Sequence, residues 1–490
     1  MSRPRLAAAV AAALVAAGLS ACGGASVSAV DVPDTFDVPL PVPPLAPSHV
    51  GADGTRTFHL TAQEGTTQFL PGVDTPTWGF DGDLLGPTLR ASRGEQVAVE
   101  VRNDLPEATS VHWHGMHLPA AMDGGPHQPV EPGATWRPTW RIDQPAATLW
   151  YHPHPHGRTE EHVYRGLAGF FLLDDPAAAD VGLPHAYGVD DVPVVVQDRR
   201  LHADGTLDRD GGELGVLGSL ITANGARGTH LDVTTQRVRL RLLNGSTART
   251  YAFGLADDRE VLQVATDGGL LPEPVPTTRV QLSPGERAEV VVTVAPGERV
   301  HLRSFPPDLG RIVAGFAMGA NDTFDVLELR AAADLAPSPP VAPALTTLDP
   351  LSAADASVTR TFDLQGREIN GRRMDMDRVD ATVEKGATEV WEVRNLDLFP
   401  HNFHVHDVQF RVLDIDGAAP PPALAGAKDT VYLEPRRTYR LVMRFEDHAD
   451  PATPYMFHCH LLLHEDEGLM GQLVVVEPGG TPSPAPHHHP

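Results

Sequence analysis

The chain is poor in sulfur and in positive charge: two cysteines, Cys22 and Cys459, and two lysines, Lys385 and Lys428, stand among 490 residues. Cys22 stands at the end of an N-terminal leader, so Cys459 is the one cysteine left for the body of the protein, too few for a disulfide framework or a Cys-rich zinc site. Lys plus Arg number 38 against 64 Asp plus Glu, for a formal charge of −26. That balance argues against the basic surface that nucleic acids and anionic membranes require. The apolar run from Leu6 to Leu19 is shorter than the roughly 20 residues of a permanent membrane span. At 490 residues the chain is also too long for one hydrophobic core, and two to four domains are expected.

The composition that is present, 45 Gly, 46 Pro and 41% hydrophobic residues, fits a turn-rich β protein. Arg3 and Arg5 precede the apolar run, which ends in Leu19-Ser20-Ala21-Cys22-Gly23. This reads as an export signal over residues 1–21 and resembles the lipobox of bacterial lipoproteins, where the cysteine is lipidated and becomes the new N-terminus. The alternative is ordinary cleavage after Val27-Ser28-Ala29. No adjacent Arg pair supports a twin-arginine route. The expectation is an exported, cell-envelope protein tethered through Cys22, with residues 22–54 as a Pro-rich linker that holds the body off the membrane.

Three blocks of short β-type runs follow, at 55–178, 190–335 and 356–478. Each has the length and turn spacing of a β-sandwich. The stretch 331–355 reads as an interdomain linker and 479–490 as a disordered tail. An internal echo joins the blocks: EVRNDLPEATSVHWHG in the first parallels EVRNLDLFPHNFHVHD in the third, while RLLNGSTARTYAFGL in the second lacks histidines. Duplication that kept metal ligands in the outer copies and left a spacer between them accounts for this pattern.

Four His-x-His pairs stand out: His112/His114, His152/His154, His404/His406 and His458/His460. On a strand, residues i and i+2 share a face, so each pair can offer two imidazoles to one metal cluster. Cys459 sits inside the last pair and faces the opposite way. A thiolate with two imidazoles and a weak axial neighbour is the ligand set of a blue copper centre. With His401 and His464 it would form a second site one residue from the first. Eight imidazoles suffice for three coppers that keep positions open for oxygen.

HWHG at 112–115, WYHPHPHG at 150–157, HNFHVH at 401–406 and HCHLLLHEDEGLM at 458–470 resemble the four copper motifs of the multicopper oxidases. The likeness extends through VVVQDRRLHADG, RLRLLNGSTAR and ATDGGLLPEP in the middle block. It is strongest to the bacterial three-domain copper-efflux and laccase-like branch. The resemblance implies an all-β fold of three cupredoxin-like Greek-key domains and four coppers per chain. It also implies one-electron oxidation of a reductant coupled to reduction of O₂ to water. By motif position, His401, Cys459 and His464 would bind a type 1 copper, and His112 and His404 a type 2 copper. His114, His152, His154, His406, His458 and His460 would bind a type 3 pair. Spacing leaves open which of these six serves which copper.

The family's axial position falls on Leu469. Met470 lies one residue on and, on a strand, points away. A non-coordinating Leu leaves the copper three-coordinate and raises its potential relative to Met. Asn402 replaces a common Pro and Asp407 a common Gly. Neither supplies a ligand, and both are expected to bear on substrate fit.

Reduction of O₂ to two waters consumes four protons, so carboxylates are needed beside the cluster. Asp123 and Glu465 match the acids that the resemblance assigns to this. Asp397 resembles the acid at the substrate site of cuprous oxidases, although Phe399 stands where a Met could and no Met-rich insert is present. Met374, Asp375, Met376 and Asp377 suit arriving Cu(I) or simple packing in a turn. His117, His127, His156 and His162 exceed the ligand count, and His487, His488 and His489 lie in the tail. The expected partners are O₂ and a small-molecule or metal-ion reductant, with no nucleic acid, and the chain is expected to act as a monomer. Copper tolerance and oxidation of phenols or aromatic amines both fit. The competing readings are a copper-free scaffold of the same fold, as in cell-division relatives, and a copper nitrite reductase.

Overall fold

A computed structural model describes residues 35–176, 178–311 and 315–483. The leader, Cys22 and residues 484–490 lie outside the described residues. The regular structure described is almost entirely strand, with two short α-helices, Thr159–Arg165 and Leu462–Asp466. No described helix is long and apolar enough to cross a membrane. Six sheets pair face to face as three cupredoxin-like sandwiches.

Each sandwich closes on its own apolar core, because alternate residues of every strand turn inward. In the first, Gln96–Asn103 buries Val97, Val99, Val101 and Asn103, which join Phe58, Trp113, Trp140 and Phe171. Arg237–Asn244 and Arg287–Thr293 pair in the second, around Val238, Leu240, Val290 and Val292. Thr388–Asn395 and Thr438–Arg444 do the same in the third, around Trp391, Phe403, Leu441 and Phe457.

The internal echo has a physical basis. Each copy ends its strand in a buried asparagine, Asn103, Asn244 or Asn395. In every case Oδ1 accepts the backbone N–H two residues on, from Leu105, Ser246 or Asp397. Nδ2 then donates to two carbonyls: Glu107 and Val130, Arg249 and Leu282, or Phe399 and Leu433. Such a side-chain bond replaces a backbone turn. In the outer copies the turn delivers the chain into the strands His112–His114 and His401–Val405.

Residues 36–50 differ from the expected free linker. Val38–Pro39 pairs in parallel with Thr229–His230 of the second sandwich, and Ser48–Val50 pairs with Arg56–Phe58 of the first. Phe36 and Leu40 are buried. The prolines suit this role, since an extended segment at a sheet edge needs few of its own N–H groups. Residues 331–345 are likewise laid along the second sandwich: Leu345 is buried beside Leu183, Val264 and Val291, and its N–H donates to Pro272 O. Of the tail, Gly479 N–H reaches Glu384 Oε1 and Ser483 N–H reaches Pro451 O.

Candidate metal centre

Strand pairing puts the histidines in register. His112–His114 runs antiparallel to Ala147–His152, with His152 opposite His112 and Trp150 opposite His114. In the third sandwich His404 lies opposite His458. Trp113 and Val405, between the paired histidines, point into their cores. The paired rings therefore face outward, where the first and third sandwiches meet. Tyr455 Oη donates across that junction to Leu118 O. All ten histidines and Cys459 are at most 1% exposed.

The rings fall into separate groups. His114, His152 and His460 form one, and His154, His406 and His458 another. His112 and His404 approach one another beside His114. His112 stacks on His406 with centroids 3.8 Å apart, and His114 on His404 at 3.7 Å. The converging nitrogens lie 3.4 Å apart for His114 Nδ1 and His152 Nε2, 3.2 Å for His154 and His458, and 3.3 Å for His406 and His458. Two imidazole ligands about 2.0–2.1 Å from a tetrahedral ion would sit roughly 3.3 Å apart.

The far nitrogen of most rings is tied, which fixes the tautomer. His112 Nδ1 donates to Asp123 O, His404 Nδ1 to Asp429 O and His152 Nδ1 to Pro153 O, at 3.1, 2.8 and 2.8 Å. His406 Nδ1 donates to Asp123 Oδ2 at 2.6 Å. His114 is reversed: Nε2 donates to Asp429 Oδ1 at 2.9 Å, turning Nδ1 inward. Glu465 sits 3.3 Å from His154 Nδ1 and 3.1 Å from His458 Nδ1. The inward Nε2 atoms of His112 and His404, and both nitrogens of His460, have no hydrogen-bond partner among the described residues.

Burial holds the imidazoles of His114, His152, His404 and His406 well below the ordinary 6.5, and neighbouring rings add to the effect. For His154 and His460 the values fall to about 3, again mainly through burial. Burial would raise Glu465, but His154 and His458 outweigh it and hold the acid well below the usual carboxylate range. Neutral imidazoles with inward lone pairs are ready ligands. Left without an ion, several buried nitrogens would each cost about 1–3 kcal/mol. The residues present fit a bound metal cluster.

On the other side of Cys459, His401 Nδ1 and His464 Nδ1 lie 3.1 Å apart, with Sγ at 3.5 and 3.6 Å. His401 Nε2 is held by Asp397 Oδ2 at 2.9 Å and His464 Nε2 by Glu213 O at 2.9 Å. Burial pushes the Cys459 thiol up to about 12, so a cation is needed to make it a thiolate. Leu469 is fully buried in the same core cluster as Cys459, and its carbonyl accepts Cys459 N–H at 3.1 Å. Met470 instead lines a separate cavity of about 270 Å³ with Phe362 and Phe457.

The remaining sequence candidates fall outside these groups. His117 bonds Asp447 and Gln409, and His162 bonds Glu107 and Thr109. His156 is exposed. Met374 and Met376 are half-buried and Asp375 and Asp377 exposed, in a loop pinned by Met374 N–H to Gly468 O.

Sequence reasoning missed a set of buried charges beneath the cluster. Arg287 donates to both oxygens of Asp429 at 2.7 Å, and Lys428 bridges Asp267 and Glu286 at 2.8 and 3.1 Å. Arg287 Nε also reaches Thr148 O of the first sandwich at 2.9 Å. The block read as a spacer therefore supplies the support for His114. One signal was available: Lys428, one of only two lysines, adjoins Asp429. Gly115, at φ 85°, is required here, because a Cβ would stand 2.5 Å from Asp429 Oδ2.

Two family models described as multicopper oxidase match residues 61–178 and 339–479. A multicopper oxidase (mco) of Staphylococcus haemolyticus is 33% identical, with 88% of this chain and 91% of the relative covered. The cell division protein FtsP of Salmonella typhimurium is also 33% identical, with 94% of this chain and 97% of the relative covered. Among solved structures, the laccase-like multicopper oxidase CueO of Ochrobactrum sp. superimposes with a TM-score of 0.82 at 35% identity, over 89% of this chain and all of that one. A laccase of Pediococcus acidilactici gives 0.81 at 33%, over 90% and 94%. On its sequence, its three sandwiches and its copper-fitting histidine groups, the chain belongs to the multicopper oxidase family.

Proposed function

We propose that the protein is a copper-dependent oxidase that takes electrons one at a time from a reductant and delivers them to O₂, forming water. The observation that carries this reading is the set of buried, partnerless nitrogens of His112, His404 and His460. A copper-free scaffold would have no use for them, and they would destabilise it. In this reading His401, Cys459 and His464 hold a type 1 copper, and His112 and His404 a type 2 copper. His114, His152 and His460 hold one type 3 copper, and His154, His406 and His458 the other. Copper, when bound, supplies one-electron redox chemistry at the thiolate site and a site for O₂ at the imidazole cluster.

The chain's own residues do the rest. His458-Cys459-His460 joins the two sites through covalent bonds, with one histidine on each type 3 set. Asp123 Oδ2 orients His406 and Glu465 lies against His154 and His458. From those positions each carboxyl can pass protons towards the cluster. The reductant approaches the His401 edge, where Asp397 is half-buried and its Oδ2 is fixed by His401 Nε2 and Gly366 N–H. Asp397 favours a metal-ion reductant such as Cu(I). Leu469 favours a high potential suited to phenols, and the similar CueO of Ochrobactrum sp. has oxidase activity towards lignin model compounds. Export and a lipid tether at Cys22 would place this chemistry in the cell envelope.

The test is copper analysis with absorption spectra, then O₂ consumption with Cu(I), Fe(II) and a phenol, on wild type, Cys459→Ser and Asp397→Ala. About four coppers per chain, a blue band lost in Cys459→Ser, and Cu(I) turnover reduced in Asp397→Ala are expected. Colourless, copper-loaded wild type or full turnover by Cys459→Ser would overturn the proposal. Untouched Cu(I) turnover in Asp397→Ala would remove that acid's role.

A further inference from the structure

Asn402, read from sequence as bearing on substrate fit alone, lies against the cysteine sulfur. It is fully buried, and every polar atom of its amide is engaged. Oδ1 accepts the backbone N–H of His460 at 2.5 Å and stands 3.4 Å from Cys459 Sγ. Nδ2 donates to Pro284 O at 2.9 Å and to Ser283 Oγ at 3.2 Å, both in the second sandwich.

These partners fix which end of the amide meets the sulfur. Turned over, Nδ2 would oppose the His460 N–H, donor against donor, and Oδ1 would oppose Pro284 O, acceptor against acceptor. Two backbone groups that cannot reverse their roles thus set the orientation. In the copper-free protein the Cys459 thiol donates to Oδ1. Once the sulfur is a thiolate, the same oxygen presents the negative end of a buried dipole to the metal–sulfur unit. Oxidation of that unit raises its charge by one. A fixed negative dipole end in a low-dielectric site stabilises the more positive state.

We infer that Asn402 is a positioning residue that lowers the potential of the thiolate copper site, against the effect of Leu469, and clamps the Cys459–His460 peptide to the second sandwich. The inference rests on the copper assignment proposed above. The backbone N–H groups of Asn402 and Leu461 also reach the sulfur. They persist in any side-chain variant, so substitution isolates the amide.

The experiment is a redox titration of the blue absorption band in wild type, Asn402→Leu and Asn402→Val. Leu keeps the branched shape and heavy-atom count without the polar atoms; Val suits the strand and cannot accept from His460 N–H. The potential rises in both, the band position moves, and the copper-free variants unfold at lower temperature because the Ser283 and Pro284 contacts are gone. If Asn402→Leu fails to fold or load, Asn402→Val decides. A blue variant with an unchanged or lower potential overturns the inference and leaves the oxidase reading standing. A wild type with no blue band overturns both.

Discussion

Asp429→Asn removes one charge at the centre of the buried network and almost no volume. Arg287 and Asp429 are both 0% exposed and meet through two bonds of 2.7 Å. In the variant, Oδ1 can still accept from Arg287 and from His114 Nε2. The new Nδ2 faces Arg287 Nη2, donor against donor. The nearest remaining carboxylate, Asp267, stands 3.9 Å from Arg287 and is already held by Lys428. Breaking a buried pair by removing one partner costs about 3–5 kcal/mol, roughly a 100- to 4,000-fold change in the folding equilibrium. The exposed pair Arg137–Glu100, at 65% and 35% side-chain exposure, should contribute only about 0.2–1 kcal/mol. Chemical unfolding of the copper-free protein compares Asp429→Asn with Glu100→Gln. Copper content supplies a second readout, since the loss of a group that orients a ligand typically weakens metal binding about 10–100-fold. A loss in Asp429→Asn no larger than in Glu100→Gln, with copper retained, would refute the account of the second sandwich as support for His114.

Leu469→Met should lower the potential of the thiolate site, read by redox titration of the blue band, because a thioether can then reach the axial position; a potential that stays put or rises contradicts the axial assignment. Burial pulls the His117 imidazole down, but the bond to Asp447, the Asp407 and Asp447 charges and the bond to Gln409 together outweigh this and raise it above the ordinary 6.5, while His117 holds Asp447 below 3.8. The stabilisation is therefore complete between those two ordinary values and fades as pH rises through the raised His117 value. His117→Ala should cost more stability at about pH 5.5 than at about pH 8.5 on this linkage, and equal losses would show that the pair does not titrate in this way.

The tripartite layout was visible in the sequence because the strand–asparagine–turn unit is local. Asn103, Asn244 and Asn395 each satisfy groups two to five residues away, so the repeat of the motif carries the repeat of the turn. The linker reading failed for residues 36–50 because Pro-rich composition reports an extended backbone, not what lies beside it. Only the distant partners Thr229 and His230 decide that Val38–Pro39 is part of a sheet.

The metal centre divides in the same way. The sequence alone determined which residues can be ligands: i, i+2 spacing on a strand fixes two rings on one face, and Cys459 inside such a pair must face the other. Which rings lie together, why His114 turns Nδ1 inward, and what holds Asn402 against the sulfur were decided only by the tertiary structure. Those outcomes depend on contacts spanning about a hundred to three hundred residues, from His114 to Asp429, Arg287 to Asp429 and Asn402 to Ser283. Covalent geometry sets a side chain's direction within its strand, and only the packing of one sandwich on another sets what it meets there.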